Sequence, residues 1–257
     1  MAEFLKNLLA SIGSVSSLLS FQVMFIIGII LTIPMTIIFI GEILGYQFVI
    51  RPPWFVKVER RWNVKAVAVV AMTAALSVIL QAVGAVIVLV PGTITFRADA
   101  LIRFPFGAIF GMPAVWGVMI SNIIGDALAG TLGPGSIAGF IISWWMPYLF
   151  YRSYHGLQDY SMIRGSAWIK YYLVTILWCV LGAFYLCTNF QLLNLLPKEV
   201  IWSGVFPSVV VTTFIGGILG PVVARVIGPA AQRFGLSRDE MQYEKEEQVG
   251  KVQPAAA

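Results

Sequence analysis

The chain has 257 residues, of which 11% are charged and 59% are hydrophobic, and its formal net charge is +5. A soluble domain carries about 25% charged residues, so the composition excludes an ordinary soluble protein and indicates helices packed in a lipid bilayer. Basic residues cluster beside apolar segments, which the positive-inside rule explains better than nucleic-acid binding does. The two cysteines and the one histidine form no ligand motif, so we expect no metal, no disulfide and no cofactor.

The N-terminal part of the chain predicts one membrane helix outside the main bundle. Residues 1–20 combine a lysine, an apolar stretch and many serines, which indicates a short amphipathic lead-in. The apolar run 21–48 is too long for the core of a signal peptide, so we expect a retained transmembrane helix. A basic linker follows, and residues 1–64 are assigned to this N-terminal unit.

Six further hydrophobic runs predict the membrane core. They are 65–90, 100–112, 113–131, 135–151, 168–188 and 203–228. The predicted fold is an all-α polytopic protein of the cell membrane, with a six-helix core over residues 65–229 plus the extra N-terminal transmembrane helix. The last residues, Glu240 to Ala257, are charged and then small and proline-bearing, which indicates disorder, and residues 230–257 are assigned to a disordered cytoplasmic tail.

The segment 98–151 could cross the membrane two or three times, because each full crossing needs ~20 residues and prolines and glycines interrupt the segment. If the basic linker 51–65 is cytoplasmic, three crossings return the basic loop 152–167 to the cytoplasm, whereas two would leave it outside. The positive-inside bias therefore favours three crossings, with the N-terminus outside and the tail inside. The interruptions also predict irregular backbone that lines a cavity.

The run 65–82 is unusually rich in small side chains, and Ala71 and Ala75 lie four residues apart. Small residues at this spacing let another helix approach closely. The approaching helix could belong to a partner protein or to the same bundle, and the sequence leaves both open.

Charged residues cluster around the start of the hydrophobic run 100–112. The candidates for ligand binding are Arg97, Asp99 and Arg103, with Gln81 one or two turns below them in the preceding helix. Arginine side chains suit carboxylate or phosphate groups. The alternative is that Arg97 and Asp99 form an ordinary surface ion pair.

Asn122 and Asp126 are four residues apart and so share one face of a helix. A carboxylate at membrane depth is costly, which makes both residues candidates for ligand binding; the alternative is a structural hydrogen-bonded pair. Trp144 and Trp145 are candidates for stacking on a planar ligand. Tryptophans also gather at bilayer boundaries in any membrane protein, which is the alternative for this pair.

Motifs for chemistry are missing from the sequence. It has no Walker A phosphate-binding loop and no HExxH zinc motif, and its one histidine, His155, lies in a basic loop. We therefore expect that the chain is not an enzyme and that any ATPase motor belongs to another chain.

Residues 104–136, FPFGAIFGMPAVWGVMISNIIGDALAGTLGPGS, combine an FG-x-x-FG-x-P-A stretch, a Gly-rich helix with an Asn and an Asp, and a tight turn to the next helix. With the alanine pattern, residues 65–228 resemble the substrate-binding membrane subunits, or S components, of energy-coupling-factor vitamin transporters. The resemblance implies six core helices and docking of the Ala71 and Ala75 face on a transmembrane coupling subunit. The run 21–48 is additional to that pattern.

The expected function is capture of a small water-soluble compound, a vitamin or its precursor, for uptake energised by separate ATPase subunits. The polar candidates would orient the compound in an otherwise apolar cavity. The alternative is a structural or accessory subunit of a larger membrane complex, in which the extra helix and the alanine face pack on other subunits and no ligand binds.

Overall fold

The computed structural model describes residues 20–50, 52–90, 94–241 and 244–246. They form an all-α polytopic membrane protein, as the composition predicts. Four helices are long and apolar enough to cross a membrane: Phe21–Ile43, Val64–Gly84, Gly165–Leu192 and Lys198–Gly217. The predicted lead-in at residues 1–19 and the last part of the predicted tail, 247–257, lie outside the described residues.

In chain order the helices are α1 (Phe21–Ile43), α2 (Val64–Gly84), α3 (Ala100–Phe110), α4 (Met112–Leu128), α5 (Pro134–Ser153), α6 (Leu157–Tyr160), α7 (Gly165–Leu192), α8 (Lys198–Val200), α9 (Phe206–Gly217), α10 (Gly220–Arg233) and α11 (Arg238–Met241). Short strands lie between α1 and α2 and between α2 and α3, and the later helices follow one another more closely. A π-helical turn, Ile201–Val205, joins α8 to α9.

Short strands lie in the segments that connect and follow the helices. They are β1 (Tyr46–Phe48), β2 (Phe55–Arg60), β3 (Val88–Val90), β4 (Ile94–Thr95) and β5 (Glu244–Glu246). The order β1-β2-β5 makes one antiparallel sheet, and β3 and β4 make a separate hairpin.

Local sequence signals set several helix boundaries. The Asn63 side chain accepts a hydrogen bond from the Ala66 amide at 2.8 Å and so caps the first turn of α2. Gly111 separates α3 from α4 with a φ of 68°, a conformation that favours glycine. Pro113 lies in the first turn of α4, where its missing N–H costs no helical hydrogen bond.

The helices α3, α4 and α5 run in alternating directions. On α3, Arg103 contacts Ser143 of α5, and one turn further along both helices a Cβ on Gly107 would lie 2.1 Å from the Pro147 carbonyl oxygen, so α3 and α5 are parallel. The chain reverses at Gly111 between α3 and α4. These directions agree with three passes of the chain through residues 98–151.

The helix α3 is too short to cross a bilayer by itself. Its 11 residues give about 16 Å of length, roughly half of the ~30 Å hydrocarbon core. The residues before α3 therefore descend into the bundle as irregular backbone. A Cβ on Gly216 of α9 would lie only 2.0 Å from the Arg97 carbonyl oxygen, so α9 covers this backbone closely.

The extra helix α1 packs on the core rather than standing apart. Thr36 and Tyr185 of α7 share a hydrogen bond of 3.2 Å, and the Trp145 indole of α5 donates to the Met35 carbonyl oxygen at 3.1 Å. The outer face of α1 carries a row of exposed isoleucines, at 26, 30, 33, 37, 40 and 43. A face of this kind suits lipid or another membrane helix.

The segment after α10 is held against the bundle. The Arg238 guanidinium donates to the carbonyl oxygens of Tyr151 at 2.6 Å and Tyr154 at 2.9 Å, and Asn63 donates to the Met241 carbonyl oxygen at 2.8 Å. The strand β5 pairs with β2. Part of the range assigned to the tail therefore contacts the bundle through backbone groups, which charge in the sequence does not reveal.

Candidate functional site

A cavity of about 580 Å³ lies at one end of the bundle, between α2, α4, α5, α7 and α9 and beside the β3–β4 hairpin. Exposed residues at the C-terminal ends of α2 and α4, among them Ala85 and Leu128, form part of its wall. Most lining side chains are apolar, with a small number of polar groups. This size and this mixture are typical of sites for small molecules.

Four of the predicted site residues line the cavity, namely Gln81, Arg97, Asn122 and Asp126. Two more, Asp99 and Arg103, lie behind its wall and contact residues that line it. The remaining two, Trp144 and Trp145, do not line the cavity.

Arg97 is positioned by its backbone as well as by its side chain. Its amide donates to the Thr212 hydroxyl on α9 at 2.7 Å, and its guanidinium donates to Asp99 Oδ2 at 3.1 Å. The ion pair considered as the alternative for Arg97 and Asp99 is therefore present. It is not an ordinary surface pair, because Asp99 is fully buried and the Arg97 side chain is only 27% exposed.

Arg103 is fully buried in the middle of the bundle. Its Nε lies 2.5 Å from Asp99 Oδ2, and its other nitrogens donate to Ser143 at 3.3 Å and Ser121 at 3.0 Å. A buried guanidinium is tolerated only when its charge is paired and its N–H groups are hydrogen-bonded. Asp99 Oδ2 therefore forms ion pairs with both Arg97 and Arg103.

A chain of hydrogen bonds continues from Arg103 to the cavity. The Ser143 hydroxyl, which receives the Arg103 bond, donates to Asn122 Oδ1 at 2.9 Å. Asn122 Nδ2 then donates to Asp126 Oδ2 at 3.3 Å. The hydrogen-bonded pair considered as the alternative for Asn122 and Asp126 exists, and both of its members also face the cavity.

Two side chains of the cavity wall carry donors that lack a partner among the described residues. They are Nε2 of Gln81 and the indole Nε1 of Trp178. A buried donor without a partner costs about 1–3 kcal/mol. Both nitrogens have almost no accessible surface, so a ligand acceptor would reach them only after a shift of the side chain.

The sequence did not point to Ser143 or Trp178. Both lie within apolar helices, where serine and tryptophan are common and carry no spacing signal. For Ser143, the one available hint is that it lies on the α5 face that meets Asn122, which requires knowledge of how α4 and α5 pack.

Trp144 and Trp145 lie between α5 and α1. The Trp144 ring stacks on Tyr148 at 4.1 Å and meets Phe39 of α1 edge-on at 5.3 Å. Trp145 is tied to Met35 of the same helix. Both indoles are buried, so in the described residues they act as packing for α1 and do not form an exposed belt at a bilayer boundary.

Ala71 and Ala75 face outward from α2. Both are exposed, whereas Thr73, Ala74 and Ser77 are buried. A Cβ on Gly117 of α4 would lie 2.7 Å from the Val70 carbonyl oxygen, which shows how closely α4 follows the other face of α2. The small-residue pair is therefore not used for packing within the described bundle.

Within the described ranges, no three His, Cys, Asp or Glu side chains come together as metal ligands. Comparisons of the chain with family models, with curated proteins and with solved structures found no match.

Proposed function

We propose that this chain captures a small water-soluble compound, a vitamin or its precursor, for uptake energised by separate ATPase subunits. The observation that carries the proposal is the cavity of about 580 Å³, in which polar groups of α2 and α4 interrupt apolar walls. A binding site of this form gains affinity from burial and selects its ligand through a few fixed polar contacts.

The place of the cavity in the bundle supports uptake rather than export. The cavity lies at the end where α2 stops, at Gly84, whereas the basic residues Arg60, Arg61 and Lys65 lie at the end where α2 begins. If basic residues face the cytoplasm, the cavity faces the outside of the cell, where a substrate for uptake is met.

An S-component role in an energy-coupling-factor transporter supplies the energising partners for this proposal. It is supported by the motif of residues 104–136, which forms most of α3, all of α4 and the start of α5. The outward-facing Ala71 and Ala75 also support it, because they leave a face of small residues open to a transmembrane coupling subunit.

The test is the retention of small molecules by the purified protein. Mass spectrometry of compounds released on denaturation would compare the wild type with Ala82→Phe and Ala129→Phe, two variants that place a ring in the cavity from exposed lining positions. The matched control is Ile79→Phe, an exposed position of α2 outside the lining.

We expect one compound to be retained by the wild type and by Ile79→Phe and to be lost from both cavity variants. Equal profiles in all four proteins would contradict capture. They would favour the accessory-subunit role, for which the exposed isoleucine face of α1 is the supporting observation.

A further inference from the structure

The charges around the cavity are unequally paired. Asp99 is shared by Arg97, at 3.1 Å, and Arg103, at 2.5 Å, so this group of three carries one net positive charge. Asp126 carries the balancing negative charge on the cavity wall, and among the described residues no cation lies within ion-pair distance of it. The protein therefore presents a carboxylate without a cation to whatever enters the cavity.

The hydrogen bonds behind Asp126 all point in one direction. Arg103 donates to Ser143, Ser143 donates to Asn122 Oδ1, and Asn122 Nδ2 donates to Asp126 Oδ2. Because the Asn122 oxygen is occupied by Ser143, its amide nitrogen is the group turned towards Asp126. The chain therefore fixes one carboxylate oxygen, while Asp126 Oδ1 accepts no hydrogen bond from the described residues.

Two uncharged donors belong to side chains of the cavity wall, in contrast to the acceptor oxygens of Asp126. Gln81 Nε2 and Trp178 Nε1 are donors without partners in the described part of the chain, and Trp178 is only 3% exposed. Neither nitrogen has appreciable accessible surface, so neither offers a ready contact to a ligand. Asp126 is only partly buried and lines the cavity, and a carboxylate binds a charged donor more strongly than a neutral one.

We infer that the captured compound carries a protonated nitrogen, an ammonium or amidinium group, which binds the Asp126 carboxylate. The inference rests on the capture function proposed above and narrows its substrate class. Asp126 is partly buried, and two charges attract each other more strongly at a partly buried site than in bulk water. Asn122, Ser143 and Arg103 position the carboxylate and do not need to touch the ligand.

The experiment uses two flat probes of the same shape that differ in charge, benzamidine and benzamide. Their dissociation constants would be measured by ligand-observed NMR with the full-length protein in phosphatidylcholine nanodiscs, whose headgroups carry no net charge. The variants are Asp126→Asn and Asp126→Ser. The matched control is Asp159→Asn, because Asp159 is a partly exposed carboxylate that pairs with Lys170 outside the cavity.

We expect the wild type and Asp159→Asn to bind benzamidine at least about tenfold more tightly than benzamide, in line with the loss seen when one partner of a buried charged pair is removed. In both Asp126 variants this preference should vanish. The comparison within the wild type holds even if a variant does not fold. No preference in the wild type, including no binding of either probe, would overturn the inference, and so would a preference that survives in a folded Asp126 variant.

The outcome for the substrate class is separable from the outcome for capture. The retention test with Ala82→Phe does not depend on the charge of the ligand. If a retained compound is lost from that variant but contains no protonatable nitrogen, capture stands and the role of Asp126 as a cation-binding group is overturned.

Discussion

The buried Arg103 next to the cavity wall loses much of its hydration free energy when the protein folds. A buried guanidinium and a buried carboxylate each lose several kcal/mol of hydration, which their mutual attraction and hydrogen bonds must restore. Arg103 and Asp99 are both fully buried, and two serines accept hydrogen bonds from the guanidinium. The pair therefore stabilises the wall of the cavity only while both partners are present.

Replacing Arg103 by Gln should destabilise the protein strongly, by about 3–5 kcal/mol, because it leaves Asp99 buried with one cation fewer. The measurement is thermal unfolding of the purified protein in detergent. The matched control is Arg61→Gln, since Arg61 pairs with Glu59 at 3.7 Å on the surface and exposed pairs contribute ~0–1 kcal/mol. Equal melting temperatures for the two variants would show that the buried pair contributes little.

The polar residues of the site differ in how far the sequence reveals them. The spacing of Asn122 and Asp126 on one helical face predicts that they act together, and the structure brings both to the cavity wall. Trp178 could not be predicted, because a tryptophan in an apolar run has many packing roles. Trp144 and Trp145 are conspicuous in the sequence, whereas in the structure they contact α1 and lie outside the cavity lining.

At the scale of the element, α2 has two faces with different requirements. One face follows α4 so closely that the backbone of Gly117 nearly touches Val70. The other carries the small side chains of Ala71 and Ala75 without a neighbour in the described structure. Replacing alanine by leucine should therefore affect the stability of the protein on one face and the binding of a partner on the other.

Ala74→Leu should lower the stability of the isolated protein by ~1–3 kcal/mol, because Ala74 is buried and extra methylenes overpack a close helix contact. Ala71→Leu and Ala75→Leu should leave the melting temperature unchanged and weaken co-purification with a membrane partner. Thermal unfolding and tagged co-purification from native membranes would measure both effects. Loss of stability in the Ala71 variant would place that face inside the bundle.

The extra helix is joined to the core at its C-terminal end by a charged group that the sequence did not single out. Glu42 is fully buried at the end of α1, pairs with Arg60 of β2 and accepts a hydrogen bond of 2.5 Å from Tyr148 of α5. Apolar periodicity predicts the helix but not this contact, because Arg60 lies in a strand of only six residues. Short strands such as β1 and β3 carry no periodic signal, and none of the five was predicted.

For the whole molecule, the sequence predicts the fold class and the division between α3 and α4, because long apolar runs and Gly111 with Pro113 act locally. The short run 100–112 also predicts a helix that cannot cross a bilayer by itself, but the sequence does not predict how the chain before this helix is packed. That outcome depends on α9, which covers the irregular backbone before α3. Residues 96–97 of this irregular segment line the cavity, so fold and site share the same interruption.

The orientation of the protein in the membrane determines whether the cavity opens to the outside of the cell or to the cytoplasm. His155 is exposed after α5, and Lys198 is exposed at the start of α8, at the two ends of α7. The two native cysteines, Cys179 and Cys187, are buried, so a membrane-impermeant maleimide should report only an introduced thiol. Lys198→Cys should be labelled in intact cells, and His155→Cys only after permeabilisation, because basic loops stay in the cytoplasm.

The two labelling sites also separate errors of orientation from errors of topology. The reversed pattern would turn the cavity towards the cytoplasm and would contradict uptake while leaving the fold unchanged. Labelling of both thiols in intact cells would instead show that α7 does not cross the membrane. Labelling of Lys198→Cys alone would place the cavity, which lies at the same end of the bundle, in contact with the external solution from which a captured compound must come.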